Sequence, residues 1–152
     1  MSPRGFRRIL GTLAALLLAS CTPGDDVDVV GSSGEATLAT SPVWAVNGST
    51  SSRFGSPLST GGDLNGDGWA DLVASGFAYD GSYVDEGIVS AYAGGPAGFA
   101  TTPFWSATGG TEEGHAQGII AGDVDGDGYD DVYVGVPNWD GGEVDEGRAL
   151  LY

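Results

Sequence analysis

Residues 122–135 read "GDVDGDGYDDVYVG", with Asp123, Asp125, Asp127, Asp130 and Asp131 inside nine positions. Carboxylates this close repel one another, and neither Lys nor Arg stands in the stretch to relieve them. Sixty positions earlier, residues 62–75 read "GDLNGDGWADLVAS", so whatever makes such a segment tolerable must operate twice. In each copy oxygen-bearing side chains fall at positions 1, 3, 5 and 9 of a loop. They are Asp63, Asn65, Asp67 and Asp71 in the first, and Asp123, Asp125, Asp127 and Asp131 in the second. Gly68 and Gly128 hold position 6, where a chain wrapping a small cation turns sharply and can need φ > 0. At position 7 the backbone carbonyls of Trp69 and Tyr129 can supply another oxygen. Four side chains, one carbonyl and water suit the six to eight oxygen ligands of Ca²⁺, and the ion would offset the repulsion.

A plain turn and an EF-hand both fit the pattern less well. Asp-Gly and Asn-Gly pairs are common in tight turns, but turn chemistry alone does not require oxygens at 1, 3, 5 and 9 in two places. An EF-hand loop would place a bidentate Glu at position 12, where this chain has Ala74 and Val134. Mg²⁺ is disfavoured because it demands near-octahedral geometry and retains its waters, and zinc because no nitrogen or sulfur ligand is present. Asp130 stands at position 8, where the first copy has Ala70, and reads as a surface charge.

The duplication extends beyond the loops. "SPVWAVNG" at 41–48 matches "TPFWSATG" at 102–109, and "YDGSYVDEGIVSAY" at 79–92 matches "WDGGEVDEGRALLY" at 139–152. A period near sixty points to a repeat architecture. Within each unit, short segments rich in Val, Tyr, Ile and Trp alternate with Gly and Asp, the pattern of strands and hairpins. Leu72 to Ala74, Val132 to Val134, Ile88 to Tyr92 and Arg148 to Tyr152 are the expected strands. No 3.6-residue period follows residue 20, and 28 glycines oppose helices. The expected fold class is all-β, with four-stranded antiparallel units of the kind that make β-propeller blades.

A blade carrying an Asp-x-Asp/Asn-x-Asp-Gly-x-x-Asp loop resembles the FG-GAP repeats of integrin α-subunit propellers and of many bacterial surface proteins. "RFGSPLSTGGDLNGDGWADLVASG" at 53–76 is similar to the family pattern through Phe54-Gly55, Gly62-Asp63 and the strand after the loop. The second copy has Gly114-His115 in place of Phe-Gly, which makes its first strand less typical. The resemblance covers about 41–152 and implies a propeller with structural Ca²⁺ in its blade hairpins. The expected division is a leading strand plus first blade at 41–110 and a truncated second blade at 111–152. Two blades do not close a ring that typically needs 4–8. Two readings stay open: a fragment lacking further blades, or self-association in which each copy lends its leading strand to a neighbour.

The beginning of the chain carries different information. Arg4, Arg7 and Arg8 precede an apolar run from Ile9 to Ala19, an arrangement of export signals and too short for a membrane span of about 20 residues. Leu18-Ala19-Ser20-Cys21 resembles the cleavage box of bacterial lipoproteins, which implies a signal at 1–20 and lipidation of Cys21. Residues 21–40 read as a flexible acidic tether. Removing the signal takes away three of five arginines and none of 21 acidic residues, so the formal charge becomes 2 − 21 = −19. Such a polyanion is repelled by nucleic acid and attracts cations. The expected setting is the cell envelope, on an outer-membrane or cell-surface lipid anchor.

Catalytic signatures are sparse. His115 is the sole histidine and reads as a packing residue. Asp85-Glu86 and Asp145-Glu146 could in principle serve as glycosidase carboxylates, but they recur inside "VDEG" at the same hairpin in both copies, which favours a turn role. The expected function is therefore a non-enzymatic, calcium-binding surface module with a protein or glycan ligand. The alternative is a remnant or accessory propeller of a secreted hydrolase.

Overall fold

The computed structural model describes residues 38–152. The export signal, Cys21 and nearly all of the tether lie outside the described residues. Among the described residues there are seven strands and no helix. The first sheet is an antiparallel meander of β1 (Phe54–Thr60), β2 (Leu72–Gly76), β3 (Ile88–Tyr92) and β4 (Trp105–Thr108), paired in that order. The second repeats it with β5 (Gln117–Gly122), β6 (Asp131–Val136) and β7 (Arg148–Leu151). These two sheets have the content of propeller-type blades.

Local chemistry explains the element bounds. The acidic loops join β1 to β2 and β5 to β6, and "VDEG" closes the hairpins between β2 and β3 and between β6 and β7. In those hairpins Asp85 and Asp145 adopt φ of 51° and 55°, and the following Gly87 and Gly147 adopt 77° and 68°. Asp tolerates the left-handed region better than most residues, and Gly enters it freely. The Gly87 N–H donates to the Tyr79 carbonyl at 3.1 Å and Gly147 to Trp139 at 3.0 Å, so both turns close in the same way.

The core lies between the two sheets. Val73, Val89 and Ala91 of the first sheet pack against Ala116, Val132, Val134 and Val136 of the second, and all of them are buried. Strand alternation produces this arrangement: Val132, Val134 and Val136 share one face of β6, while Tyr133 and Gly135 point the other way. Hydrogen bonds reinforce the contact. The Gly118 N–H donates to Ser75 Oγ at 2.9 Å, and Ile120 N–H to Ser59 Oγ at 3.1 Å.

A second apolar cluster covers the opposite face of the first sheet. It joins Leu72, Ala74 and Tyr92 to Trp44, Val46, Phe54 and Phe99. Residues 41–48, expected as a leading strand, form no strand here. The segment is held instead by Trp44, whose ring meets Tyr92 edge-on at 5.9 Å and whose indole N–H donates to the Ala100 carbonyl at 3.1 Å. Among the described residues its backbone has no neighbouring strand to pair with, because β4 already covers the outer edge of β3. The less typical first strand of the second copy is also visible. β5 begins at Gln117, whereas β1 begins at Phe54, the counterpart of Gly114.

Two valine substitutions separate the intersheet core from the surface. Val134→Ala removes two buried methyl groups and leaves a cavity, a loss of about 2–3 kcal/mol. Val84→Ala, at a site 60% exposed, stays within about 0.5 kcal/mol. Urea unfolding of the two variants beside the parent measures both.

Candidate metal centre

Each acidic loop is organised by its own carboxylates. Asp63 Oδ1 accepts the N–H groups of Gly66 and Asp67 at 2.8 and 3.0 Å, while Oδ2 accepts that of Gly68 at 2.8 Å. Asp123 repeats the pattern with Gly126, Asp127 and Gly128 at 2.8, 3.1 and 3.1 Å. At position 3, Asn65 and Asp125 each accept the N–H of the residue two ahead, at 2.9 and 3.1 Å. At position 5, Asp67 and Asp127 do likewise toward Trp69 and Tyr129, both at 2.9 Å. Gly68 and Gly128 adopt φ of 87° and 97°, as the sharp turn at position 6 requires.

Position 9 ties the loop to the sheet. Asp71 and Asp131 are buried at the start of the strand that follows. Their Oδ2 atoms accept the N–H of position 2, Leu64 at 2.9 Å and Val124 at 2.7 Å. Asp71 Oδ1 also accepts from Gly94 at 2.8 Å, a second anchor into the first blade. Hydrogen bonds to a charged acceptor contribute about 1.5–3 kcal/mol each, so these contacts set the loop path before any ligand arrives.

Asp123, Asp125 and Asp131 each offer a carboxylate oxygen, all within 4.8 Å of one another. A Ca²⁺ ion with ligands at about 2.3–2.6 Å needs its oxygens no farther apart than about 5 Å. The donor set therefore fits a hard cation: of the roughly four lone-pair sites on each carboxylate, Asp123 gives three to N–H groups and Asp125 and Asp131 give one each. Asp127 lies outside that cluster. The position-7 side chains of Trp69 and Tyr129 are half-exposed.

Residues 63–134 match a family model described as the FG-GAP-like repeat. The matched span begins at position 1 of the first loop and includes both loops. The match falls on the repeat pattern that the sequence pointed to, and the two loops described above lie within it.

The second loop also does something that its sequence did not reveal. Asp130 is not a free surface charge. Its Oδ2 accepts the Asp63 N–H at 2.6 Å, and its own N–H donates to the Asp63 carbonyl at 3.0 Å. Position 8 of one FG-GAP-like loop thus clasps position 1 of its counterpart. Tyr129 lies over Gly66, where any Cβ would collide with its ring. The signal available was the mismatch at position 8, Asp130 against Ala70, but only the placement of the two loops gives it meaning.

Most of the remaining candidate residues have structural partners, while Glu146 is exposed. Glu86 is buried and accepts the Ser82 N–H at 2.6 Å, and Asp80 and Asp140 accept Asp85 and Asp145 N–H at 2.8 and 2.7 Å. His115 Nδ1 lies 3.0 Å from the Phe77 carbonyl, and the two rings meet edge-on. Burial pushes the Tyr92 phenol above its ordinary value of 10.0, and a hydrogen bond with Ser90 draws it partly back. An open cleft of about 370 Å³ beside the second loop is lined by Trp105, Asp127, Tyr129, Asp130, Asp131 and Tyr152 among others.

Asp130→Ala strands the Asp63 N–H and is expected to cost about 1–3 kcal/mol. Asp130→Asn, which keeps an acceptor oxygen, should recover most of that. Chemical denaturation of both variants checks the ordering.

Proposed function

We propose that this chain is a non-catalytic FG-GAP-like repeat module that binds Ca²⁺ in both acidic loops and uses the ion for rigidity. The observation that carries the reading is the convergence of Asp123, Asp125 and Asp131 oxygens within 4.8 Å. The first loop has the same path with Asn65 in place of Asp125. Each ligand candidate is already oriented by a backbone N–H, so binding orders little new structure. When bound, the ion supplies charge neutralisation to the loop; the residues themselves hold the geometry.

A structural role is favoured over catalysis because the acidic pairs that might do acid–base work recur in the same turn of both copies, where Asp80 and Asp140 accept the N–H groups of Asp85 and Asp145. The module is assigned to the cell envelope on the sequence of its first 21 residues, with Cys21 as the lipid attachment point and a protein or glycan as the class of ligand. The formal charge of −19 after cleavage directs it toward cationic partners and away from nucleic acid.

The second loop has four carboxylates where the first has three, so it should bind Ca²⁺ more tightly. Extracellular modules bind at about 10⁻⁴–10⁻³ M. Titration calorimetry should give weaker binding for Asp125→Asn and tighter binding for Asn65→Asp. Affinities unchanged by both substitutions would remove the calcium reading. Cleavage and acylation have a separate check: mass spectrometry of the exported protein should find a lipid-modified amino terminus at Cys21, and an unmodified Cys21 would contradict the anchor.

A further inference from the structure

The two acidic loops touch, and the contact runs through the backbone that would present their oxygens to a cation. The peptide between Tyr129 and Asp130 belongs to both loops. Its N–H donates to the Asp63 carbonyl at 3.0 Å. A trans peptide is planar, with its N–H and C=O directed oppositely, so the Tyr129 carbonyl points away from the first loop. That carbonyl is the oxygen offered at position 7 of the second loop.

The peptide between Gly62 and Asp63 is the other half of the clasp. Its N–H donates to Asp130 Oδ2 at 2.6 Å, and its carbonyl accepts the Asp71 N–H at 2.7 Å. Positions 1 and 9 of the first loop, Asp63 and Asp71, are thus fastened to a peptide that the second loop holds. Side-chain packing closes the same seam. A Cβ at Gly62 would collide with Ile120 and the Asp130 carboxylate, and one at Gly66 with the Tyr129 ring. The clasp depends on a single side chain, because the residue at position 8 of the first loop, Ala70, carries no side-chain acceptor.

We propose that the two loops bind calcium as a coupled pair, occupancy of the second raising the affinity of the first through Asp130 and its peptide. The inference rests on the calcium reading of both loops and adds the link between them. With its carbonyl drawn on by a cation, the Tyr129–Asp130 peptide becomes a stronger N–H donor, since hydrogen-bonded groups in series polarise one another. The Asp63 backbone is then held more firmly, and with it the carboxylate that gathers Gly66, Asp67 and Gly68. Linkage makes the effect reciprocal, so a filled first loop favours the second by the same factor. Asp130 is a positioning residue in this scheme, because its Oδ2 is engaged by the Asp63 N–H. Repulsion between two bound divalent ions acts in the opposite sense. Both loops are exposed, however, and at about 0.15 M salt that repulsion is screened over about 8 Å, whereas the hydrogen-bonded route is direct.

Site-resolved calcium titration tests the coupling. The amides of Gly66 and Gly68 report the first loop and those of Gly126 and Gly128 the second, so nuclear magnetic resonance of the isotope-labelled full chain follows the two midpoints separately. Asp125→Ala removes a second-loop oxygen but leaves the N–H bonds to Asp123 and Asp131 in place. It should raise the first-loop midpoint by at least about fivefold, the lower end of common coupling factors. In an Asp130→Ala background the same substitution should leave the first-loop midpoint unchanged, and Asp130→Asn, which keeps an acceptor, should retain most of the coupling. Without calcium, the Asp63 amide should exchange faster in Asp130→Ala than in the parent and at close to the parental rate in Asp130→Asn.

A first-loop midpoint that stays fixed or falls in Asp125→Ala, while both loops of the parent respond to calcium, overturns the coupling and leaves the calcium reading standing. That comparison uses no Asp130 variant, so it decides the matter even where the junction does not survive Asp130→Ala. Coupling that persists without Asp130, or an Asp63 amide equally protected in all three proteins, overturns the route. Loops that ignore calcium in the parent overturn the calcium reading and the coupling together.

Discussion

The acceptance of backbone N–H groups by the position-1 aspartates governs this fold. Asp63 and Asp123 each gather three N–H groups from the turn that follows, converting a repulsive acidic segment into a fixed connection. The buried aspartates at position 9 then fasten that connection to the first residues of the next strand. Because each loop joins two adjacent strands, its path helps to set the sheet register and decides which side chains reach the core.

Register has consequences for burial through strand alternation. Val132, Val134 and Val136 face inward only because β6 begins directly after Asp130, at Asp131. A one-residue slip would turn Tyr133 and Gly135 toward the first sheet and expose the valines. The reciprocal bonds between Asp130 and Asp63 join the two loops at the same end of the sheets, so loop geometry and intersheet packing support each other. Arg148 adds a contact elsewhere in the junction. Its guanidinium lies 4.6 Å from the Trp139 ring and donates to the Gly109 carbonyl at 3.1 Å, although its Nε, also buried, has no partner among the described residues.

Much of this was legible in the sequence because it is local. The strands after each aspartate loop, the outer strand at Trp105 and the turn role of "VDEG" all follow from spacing and residue type over short stretches. The parts that were not legible depend on neighbours distant in sequence. Residues 41–48 have the composition of a strand, yet a strand exists only where a partner edge is available. Asp130 looked like a solvated charge because nothing in its own loop needs it. Glu86 and Glu146 stand in the same motif, but only Glu86 is buried, since its backbone receives the Ala116 N–H from the adjoining blade.

Amide hydrogen exchange across residues 63–71 and 123–131, with calcium present and with it chelated, tests the central claim most directly. If a cation seats on carboxylates that already hold the loop backbone, the N–H groups of Gly66, Asp67, Gly68, Gly126, Asp127 and Gly128 gain protection when calcium is added. The second loop should respond at the lower concentration. Exchange rates in both loops that do not differ between the two conditions would contradict the account.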